Sequence, residues 1–271
     1  MFNIGNNQIG SNNPLVLIAG PCVVESEDIT MRTAEDIAKI CDKLKIPFIF
    51  KSSFKKANRT SLKSFSSIGE EVAIKILRKV RDELNLTVLT DIHKESDIEL
   101  IKDSVDVIQI PAFLCRQTDL LIEAGKSGLA VNIKKGQFLA PEDMKHAAEK
   151  VASTGNKRIL LTERGTTFGY HNLVVDMRSL VIMREIGYPV VMDATHSVQL
   201  PSKGSVSGGE PRFINSLARA STAVGIDALF LEVHPEPEKA LSDAASQLPL
   251  HQLEPLLKEI KEIDNLVKSF K

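Results

Sequence analysis

The chain has 271 residues, of which 43% are apolar, 25% charged and only 5% aromatic, a composition typical of a soluble globular protein. Its 34 basic and 35 acidic residues give a net charge of -1, which supplies no long-range field for DNA, RNA or a membrane surface. No apolar run approaches the roughly 20 residues that span a bilayer, and segment 1–13 is polar, unlike an export signal. We therefore expect a cytoplasmic protein that binds neither nucleic acid nor membranes.

Eight short apolar runs rich in β-branched residues recur along the chain and indicate strands. They are Leu15–Ala19, Phe48–Phe50, Thr87–Leu89, Val107–Ile110, Ala130–Ile133, Arg158–Thr162, Pro189–Met192 and Ala228–Leu231. The segments between them repeat apolar residues at helical spacing, for example Ile37, Ile40, Cys41 and Leu44, or Val72, Ile76, Leu77 and Val80. Apolar strands that are each followed by a helix indicate a parallel sheet. Eight such units predict a closed (β/α)8 TIM barrel, formed by one domain over residues 1–271.

Two further features concern the ends of this barrel. Segment 1–13 carries turn signals at Gly5-Asn6-Asn7 and Gly10-Ser11-Asn12, which predict a small β-hairpin that caps the bottom of the barrel. The connections 52–67, 195–210 and 233–248 are longer and less helical than the others, and they follow the second, seventh and eighth strands. Active sites of TIM barrels lie at the carboxyl ends of the strands, so we expect the functional site among these loops.

Polar or ionisable side chains lie at the end of every apolar run, and basic ones predominate. Between Lys51 and Lys63 there are five cations and no carboxylate, and Lys134, Lys135 and Arg164 are expected to face them across the barrel mouth. Because such a cluster repels itself unless an anion occupies it, the sequence predicts a pocket for phosphates or carboxylates. A charged loop that faces water is the alternative. No GxGxxG or GxxxxGK[ST] motif follows a strand, which argues against a bound dinucleotide or P-loop nucleotide.

A candidate metal set combines one thiol, one imidazole and two carboxylates, at Cys22, His196, Glu232 and Asp243. These ligand types suit a borderline divalent ion such as zinc, iron or manganese. Their spacing is not diagnostic, and His93 and His234 are further candidates. The alternative is that Cys22 is a small packed thiol and His196 a hydrogen-bonded structural residue. The three cysteines form no CxxC motif, which argues against a disulfide framework or a zinc ribbon.

Several motifs, in one order between Pro14 and about Phe270, resemble those of the 3-deoxy-D-manno-octulosonate 8-phosphate (KDO8P) synthases. They are Leu17-Ile18-Ala19-Gly20-Pro21-Cys22, Phe50-Lys51-Ser52-Ser53-Phe54, Lys56-Ala57-Asn58-Arg59-Thr60-Ser61, Gln109-Ile110-Pro111-Ala112-Phe113-Leu114, Asn132-Ile133-Lys134-Lys135-Gly136-Gln137-Phe138, Glu163-Arg164-Gly165, Asp193-Ala194-Thr195-His196-Ser197 and Glu232-Val233-His234-Pro235. The resemblance implies a TIM-barrel enzyme that condenses phosphoenolpyruvate (PEP) with arabinose 5-phosphate and releases inorganic phosphate. It also implies a homotetramer with a place in lipopolysaccharide sugar synthesis.

The resemblance also bears on the close alternatives. Related heptulosonate phosphate synthases use erythrose 4-phosphate and typically carry Lys-Pro-Arg-Thr where this chain has Lys56-Ala57-Asn58-Arg59, which favours the five-carbon sugar. Metal-independent KDO8P synthases have Asn at the position of Cys22, so this chain is expected to be metal-dependent. The resemblance then makes the ligands Cys22, His196, Glu232 and Asp243, with His234 either supporting a ligand or structural. The erythrose-using enzyme and a noncatalytic phosphosugar-binding barrel are the alternatives.

The resemblance further implies roles for the residues of the predicted pocket. The groups expected to hold the carboxylate and phosphate of PEP are Lys51, Lys56, Lys134 and Arg164. Those expected to hold the sugar phosphate are Asn58, Arg59 and Thr60, together with Arg116 of a neighbouring subunit. Ser53 and Gln109 are further substrate-binding candidates. Asp91 and His196 are candidate proton carriers or orienting groups, so the expected catalytic set is Lys51, Lys56, Asp91 and His196.

Overall fold

The computed structural model describes residues 1–58, 64–200 and 208–270, and its centre is a closed barrel of parallel strands. The barrel strands are β1 (Val16–Gly20), β2 (Phe48–Lys51), β3 (Thr87–Asp91), β4 (Val107–Ile110), β5 (Ala130–Lys134), β6 (Ile159–Glu163), β7 (Val190–Asp193) and β8 (Ala228–His234). Each pairs in parallel with its neighbour in the chain, and β8 pairs with both β7 and β1, which closes the ring. The predicted (β/α)8 barrel is therefore confirmed.

Each strand overlaps its predicted apolar run, but several continue past it at their carboxyl ends. Lys51, Asp91, Lys134, Glu163 and Asp193 are the last residues of their strands rather than the first residues of loops. A strand continues there because its backbone ladder pairs with both neighbours whatever the side chain is. As a result, the backbone that carries these charged side chains at the barrel mouth is held in place by the hydrogen bonds of the sheet.

The helices alternate with the barrel strands along the chain. They are α1 (Glu27–Leu44), α2 (Glu70–Glu83), α3 (Ser96–Ile101), α4 (Thr118–Lys126), α5 (Met144–Ala152), α6 (Arg178–Glu185), α7 (Ile214–Val224) and α8 (Leu253–Lys268). α1 begins after Ser26, whose hydroxyl oxygen accepts from the backbone N–H of Ile29 at 3.2 Å, and it ends at Lys45 in the left-handed conformation. No helix in the described part of the chain is both long and apolar enough to cross a membrane.

The apolar faces of the helices pack on the outside of the barrel. Cys41 is 1% exposed on α1, as its helical spacing predicts. The helix predicted from Val72, Ile76, Leu77 and Val80 is confirmed, with the last three residues buried and Val72 50% exposed. Val72 lies in the first turn of α2, where the adjacent Ala73 and Ile74 occupy the buried side instead.

The N-terminal segment forms the predicted hairpin, with strands Phe2–Ile4 and Asn7–Ile9 paired antiparallel. Ile4 and Ile9 are buried in a cluster with the side chains that fill the inside of the barrel, from Val16 on β1 to Phe230 on β8. The side-chain amide of Asn7 donates to the Phe48 carbonyl at 2.9 Å and to Thr87 Oγ1 at 3.1 Å. The hairpin therefore closes the bottom of the barrel and leaves the opposite end as the open mouth.

Candidate active site

A cavity of about 790 Å³ lies at the mouth of the barrel. The residues predicted for the site that line it are Lys51, Lys56, Asn58, Asp91, Gln109, Lys134, Arg164, His196 and Asp243. They come from the ends of four strands, β2 to β5, and from the loops after β2, β6, β7 and β8, so the closed barrel brings together residues that are almost 200 positions apart. Concave sites of this size suit a small-molecule ligand of about the size of a sugar phosphate.

Carboxylates lie between the cations of this cavity. Lys51 Nζ is 3.3 Å and Lys56 Nζ 3.9 Å from Glu232 Oε1, and Lys134 Nζ is 2.5 Å from Asp193 Oδ2. Burial alone would raise the pKa of Glu232, but the charges of His196, Lys51 and the other lysines lower that pKa to about 2. The prediction that the cations repel one another without a bound anion is therefore incomplete, because buried carboxylates from β7 and β8 already offset part of their charge.

A buried aromatic ring forms the floor beneath two of these lysines. Lys134 Nζ lies 3.9 Å and Lys51 Nζ 5.7 Å from the centre of the Phe230 ring. An ammonium group close to a ring face is attracted by the ring quadrupole, most strongly where water is excluded. The Phe230 ring thus attracts both ammonium groups, and more strongly that of Lys134.

Asp193 orients His196 at the edge of the cavity. Asp193 Oδ1 accepts from the backbone N–H of Thr195 at 3.1 Å and of His196 at 2.9 Å, while Oδ2 lies 2.8 Å from His196 Nδ1. Burial opposes ionisation of this carboxyl group, yet His196 and Lys134 hold the pKa of Asp193 well below its usual range. Nε2 of His196 lies 3.5 Å from Glu232 Oε1, so the ring lies between the two carboxylates of β7 and β8.

Three predicted metal ligands form one cluster, and one of them, Asp243, lines the cavity. The ligand atoms of Cys22, Glu232 and Asp243 all lie within 4.8 Å of one another, with Cys22 Sγ 3.4 Å from Asp243 Oδ2. His196 lies beside this cluster. Glu232 Oε2 is buried and has no hydrogen-bond partner among the described residues. Burial and the carboxylates of Asp243 and Glu232 raise the pKa of the Cys22 thiol, and the charges of Lys56 and Lys51 offset only part of this rise. This donor set fits a borderline divalent metal.

The other two histidine candidates lie in different surroundings. His93 Nε2 is 3.3 Å from Asp91 Oδ2 at the cavity wall, and this contact, with the charge of Lys56, holds the pKa of Asp91 well below its usual range although burial opposes it. His234 Nδ1 accepts from the Glu236 backbone N–H at 3.0 Å, and its Nε2 lies 3.6 Å from Glu25 Oε2. Neither histidine belongs to the cluster of Cys22, Glu232 and Asp243.

Some residues predicted for the site are not part of the cavity wall. Ser53 is buried behind Lys51, from whose ammonium its hydroxyl accepts at 3.2 Å. Arg116 is exposed and does not line the cavity of its own chain. Arg59 and Thr60, like Lys63, lie outside the described residues.

Two lysines expected at the mouth point elsewhere. Lys55 Nζ pairs with Asp97 Oδ1 at 2.8 Å and with Glu70 Oε1 at 3.3 Å. The prediction for Lys135 was wrong, because its ammonium lies 3.4 Å from Glu163 Oε1, outside the cavity. Lys135 directly follows the last residue of β5, and its backbone N–H still donates to the Thr162 carbonyl at 2.8 Å, so the side-chain alternation of the strand continues and directs Lys135 away from the mouth.

Two glutamines at the cavity wall were missed in the sequence. Gln137 lines the cavity, and its buried Oε1 has no hydrogen-bond partner among the described residues. Gln199 also lines the cavity, and its Oε1 accepts from Arg164 Nη2 at 3.1 Å. Gln137 lies inside one of the motifs that carry the resemblance, so its position was a usable signal. For Gln199, the one signal in the sequence that it belongs to the site is its position three residues after His196.

Comparison with known proteins places the chain in a family. The sequence matches the DAHP synthetase I family over residues 1–269. Curated proteins named 2-dehydro-3-deoxyphosphooctonate aldolase are 57% identical in Geotalea uraniireducens (98% of both chains covered), 56% in Syntrophotalea carbinolica (98% and 97%) and 54% in Geobacter sulfurreducens (98% of both). That name and KDO8P synthase denote enzymes of the same eight-carbon acid phosphate. The chain therefore belongs to the DAHP synthetase I family and, within it, to the KDO8P synthases.

Proposed function

We propose that this protein condenses PEP with arabinose 5-phosphate and water to give 3-deoxy-D-manno-octulosonate 8-phosphate and inorganic phosphate. The observation that carries the proposal is the group of buried cations, Lys51, Lys56, Lys134 and Arg164, around one cavity of about 790 Å³. Buried ammonium and guanidinium groups need anionic partners, and their carboxylate neighbours offset only part of this charge. Two substrates that each carry a phosphate supply the rest.

PEP is assigned to the inner part of the cavity. Lys134 and Arg164 come from β5 and the loop after β6, and Lys51 and Lys56 from the opposite side. The buried Arg164 Nη1 has no hydrogen-bond partner among the described residues and offers a donor for a phosphate or carboxylate oxygen. Gln137 Oε1, also unpartnered, lies in the same wall.

The aldose phosphate is assigned to the outer part of the cavity. Asn58 lines the cavity at the point where the loop after β2 leaves the described part of the chain. Contacts of the sugar phosphate with Arg59 and Thr60, and with Arg116 of a neighbouring subunit, stay predictions of the sequence. Gln109 lies between these two parts of the cavity wall, with its Oε1 accepting from Asn132 Nδ2 at 3.1 Å.

The reaction forms one carbon–carbon bond and breaks one carbon–oxygen bond. C3 of PEP attacks the aldehyde carbon of the sugar, whose oxygen takes up a proton, and water adds to C2 of PEP with loss of a proton. The resulting tetrahedral centre collapses when its C2 hydroxyl loses a proton and forms the ketone carbonyl, and the C–O bond to the phosphate breaks with release of inorganic phosphate, which takes up that proton. In this proposal Lys51 and Lys134 stabilise the negative charge of the phosphate, while Asp91, in contact with His93, and His196, in contact with Asp193, orient water and carry these protons.

A divalent ion is part of the proposal. Cys22, His196, Glu232 and Asp243 would hold it, with zinc, iron and manganese as the candidate ions. When bound, such an ion supplies Lewis acidity that polarises the sugar aldehyde or orients the attacking water. Asp193 contributes by fixing the His196 ring with Nε2 directed at the cluster.

A phosphate-release assay across aldose phosphates, with and without chelator, tests the proposal. We expect turnover with arabinose 5-phosphate, a lower kcat/KM with erythrose 4-phosphate and loss of turnover in strong chelator. A preference for erythrose 4-phosphate would identify the heptulosonate phosphate synthase, and absence of phosphate release with every aldose phosphate would favour a noncatalytic phosphosugar-binding barrel. In oxygen-18 water, label in the ketose indicates C–O cleavage, whereas label in the phosphate contradicts it.

The metal assignment has its own test. Cys22→Asn is expected to lower the metal content measured by elemental analysis while the melting temperature of the metal-free protein stays within about 3 °C of wild type, because the thiol is replaced by a side chain of similar size. Ser242→Ala, which changes only the hydroxyl 2.9 Å from Cys22 Sγ, is the control and should keep most of the metal. Full activity with no metal present would rule out metal dependence.

We also propose a single-domain subunit of a cytoplasmic homotetramer. Exposed aromatic side chains at the loops after β4, β5 and β6, Phe113, Phe138, Phe168 and Tyr170, support an interface at this side of the mouth. Arg116 belongs to the same side, where it could reach the cavity of another subunit. Sedimentation equilibrium tests the assembly, and a monomer at micromolar concentration would contradict it.

A further inference from the structure

Lys135 is a fully buried lysine that takes no part in the cavity. Its ammonium lies 3.4 Å from Glu163 Oε1 and donates to Thr166 Oγ1 at 3.0 Å and, over longer distances, to the carbonyls of Leu139 and Gly165. A buried ion pair costs desolvation free energy and contributes little net stability. The pair therefore calls for an explanation other than stability.

The Glu163 carboxylate holds the backbone that carries Arg164. Its Oε1 accepts from the backbone N–H of Arg164 at 2.9 Å and of Gly165 at 2.6 Å, and its Oε2 accepts from Ser179 Oγ at 2.6 Å. Gly165 has φ of 91°, a conformation that other residues rarely adopt. The chain thus turns sharply just after Arg164, and the two hydrogen bonds to the Glu163 carboxylate stabilise this turn.

Lys135 in turn fixes that carboxylate and joins two loops. Through Leu139 it contacts the loop after β5, and through Gly165 and Thr166 the loop after β6. Neither Lys135 nor Glu163 lines the cavity, whereas Arg164 does. Among the described residues, Gln199 is the one hydrogen-bond partner of the Arg164 guanidinium, so the aim of this group depends largely on its backbone.

We infer that Lys135 and Glu163 are positioning residues that aim Arg164 at the anionic substrate in the cavity. The inference rests on the proposed function in that it takes the anion at Arg164 to be PEP. A displacement of about 1 Å in a group that meets a substrate can cost up to about 100-fold. Because neither Lys135 nor Glu163 lines the cavity, any effect of this pair on PEP binding has to act through the Arg164 side chain.

A double-mutant cycle, with PEP binding measured by calorimetry, tests this route. K135M and E163Q are each expected to weaken PEP binding by about 10- to 100-fold. In an R164A background, K135M should cost less than about twofold, because the group it aims is gone. A purely structural role would give the same loss in both backgrounds. That result, or wild-type affinity in both K135M and E163Q, would overturn the inference.

Two further variants guard against a folding defect. K268M breaks the Lys268–Asp264 pair, 2.6 Å apart on α8, and should bind PEP as wild type does. If K135M does not fold, E163Q and S179A, which remove a charge and one hydrogen bond from the same carboxylate, carry the test in its place. Loss of PEP binding in K268M equal to that in E163Q would count against the inference.

Inorganic phosphate is titrated in parallel, so that failure of the proposed substrate is seen separately. A wild-type protein that binds phosphate but not PEP contradicts the proposed function, and the same cycle measured with phosphate then decides on Lys135 and Glu163. A wild-type protein that binds neither anion overturns the inference as well.

Discussion

The two ends of the barrel use the same eight strands but bury opposite kinds of side chain. At the bottom, the hairpin places Ile4 and Ile9 against apolar barrel side chains, and both are at most 2% exposed. At the mouth, Lys51, Asp193 and Glu232 are equally buried. Burial of apolar side chains favours folding, whereas burial of charges opposes it unless they pair. Stability and ligand binding should therefore respond to substitutions at different ends.

The largest effect is expected from Lys134→Met, which removes the ammonium nearest the floor of the mouth. We expect kcat/KM for PEP to fall about 10²- to 10³-fold, the usual result when one donor to a developing charge is lost. Stability should change little, because Asp193 keeps His196 and two backbone N–H groups as partners. Phosphate-release kinetics and calorimetric melting measure the two effects, and activity within threefold of wild type would contradict the assignment.

Ile9→Ala is the matching change at the bottom. Truncating this fully buried side chain should lower the free energy of unfolding by about 2–5 kcal/mol, from lost burial and the cavity left behind. At a temperature where the variant is folded, kcat/KM should stay near the wild-type value. Urea unfolding and steady-state kinetics provide the two readings. A loss of activity without loss of stability would show that the ends are not separable.

Apolar periodicity was enough to predict the barrel and its hairpin. Each of the eight runs became a strand because a parallel strand covered by helices has to be apolar on both faces. The strand ends were misjudged, since Lys51 and Asp193 continue the ladder although their side chains are charged. Backbone hydrogen bonding to the neighbouring strands determines where a strand ends, and a run of apolar residues in the sequence does not show where that bonding stops.

The chemistry of the site was predictable only as a set of residue types. Asp193 and Glu232 come from strands far along the chain from the lysines they offset, and only closure of the barrel brings them within 4 Å. Lys135 was assigned to the mouth although strand alternation alone places it opposite Lys134. Phe230 is part of an apolar run, and nothing in its sequence context marks a ring beneath two cations.

Asn7→Ala tests the polar anchor of the hairpin, with a smaller effect than Ile9→Ala. The substitution removes the donors to the Phe48 carbonyl and Thr87 Oγ1 and leaves both acceptors buried. A loss of about 1–3 kcal/mol in the free energy of unfolding is expected, with kinetics unchanged. Urea unfolding measures it. Wild-type stability would mean that the apolar residues alone hold the hairpin in place.

Phe230→Leu has the smallest expected effect and the most direct bearing on the comparison, because Phe230 belongs to both regions. Its side chain is part of the inner apolar cluster that reaches down to the hairpin, and its ring lies beneath Lys134 and Lys51. We expect a loss of about 1 kcal/mol in stability, as for other near-conservative core changes. The lost cation–π attraction, about 0.5–2 kcal/mol, should weaken PEP binding about 2- to 30-fold.

Phe50→Leu is the matched control, since Phe50 is as buried as Phe230 but packs in the outer cluster between barrel and helices. It should lower stability by a similar amount and leave PEP affinity unchanged, both measured by calorimetry. If the two variants weaken PEP binding equally, a general softening of the core explains the loss and the ring has no special role. If Phe230→Leu alone weakens PEP binding, the Phe230 side chain contributes both to the stability of the apolar core and to anion binding at the mouth.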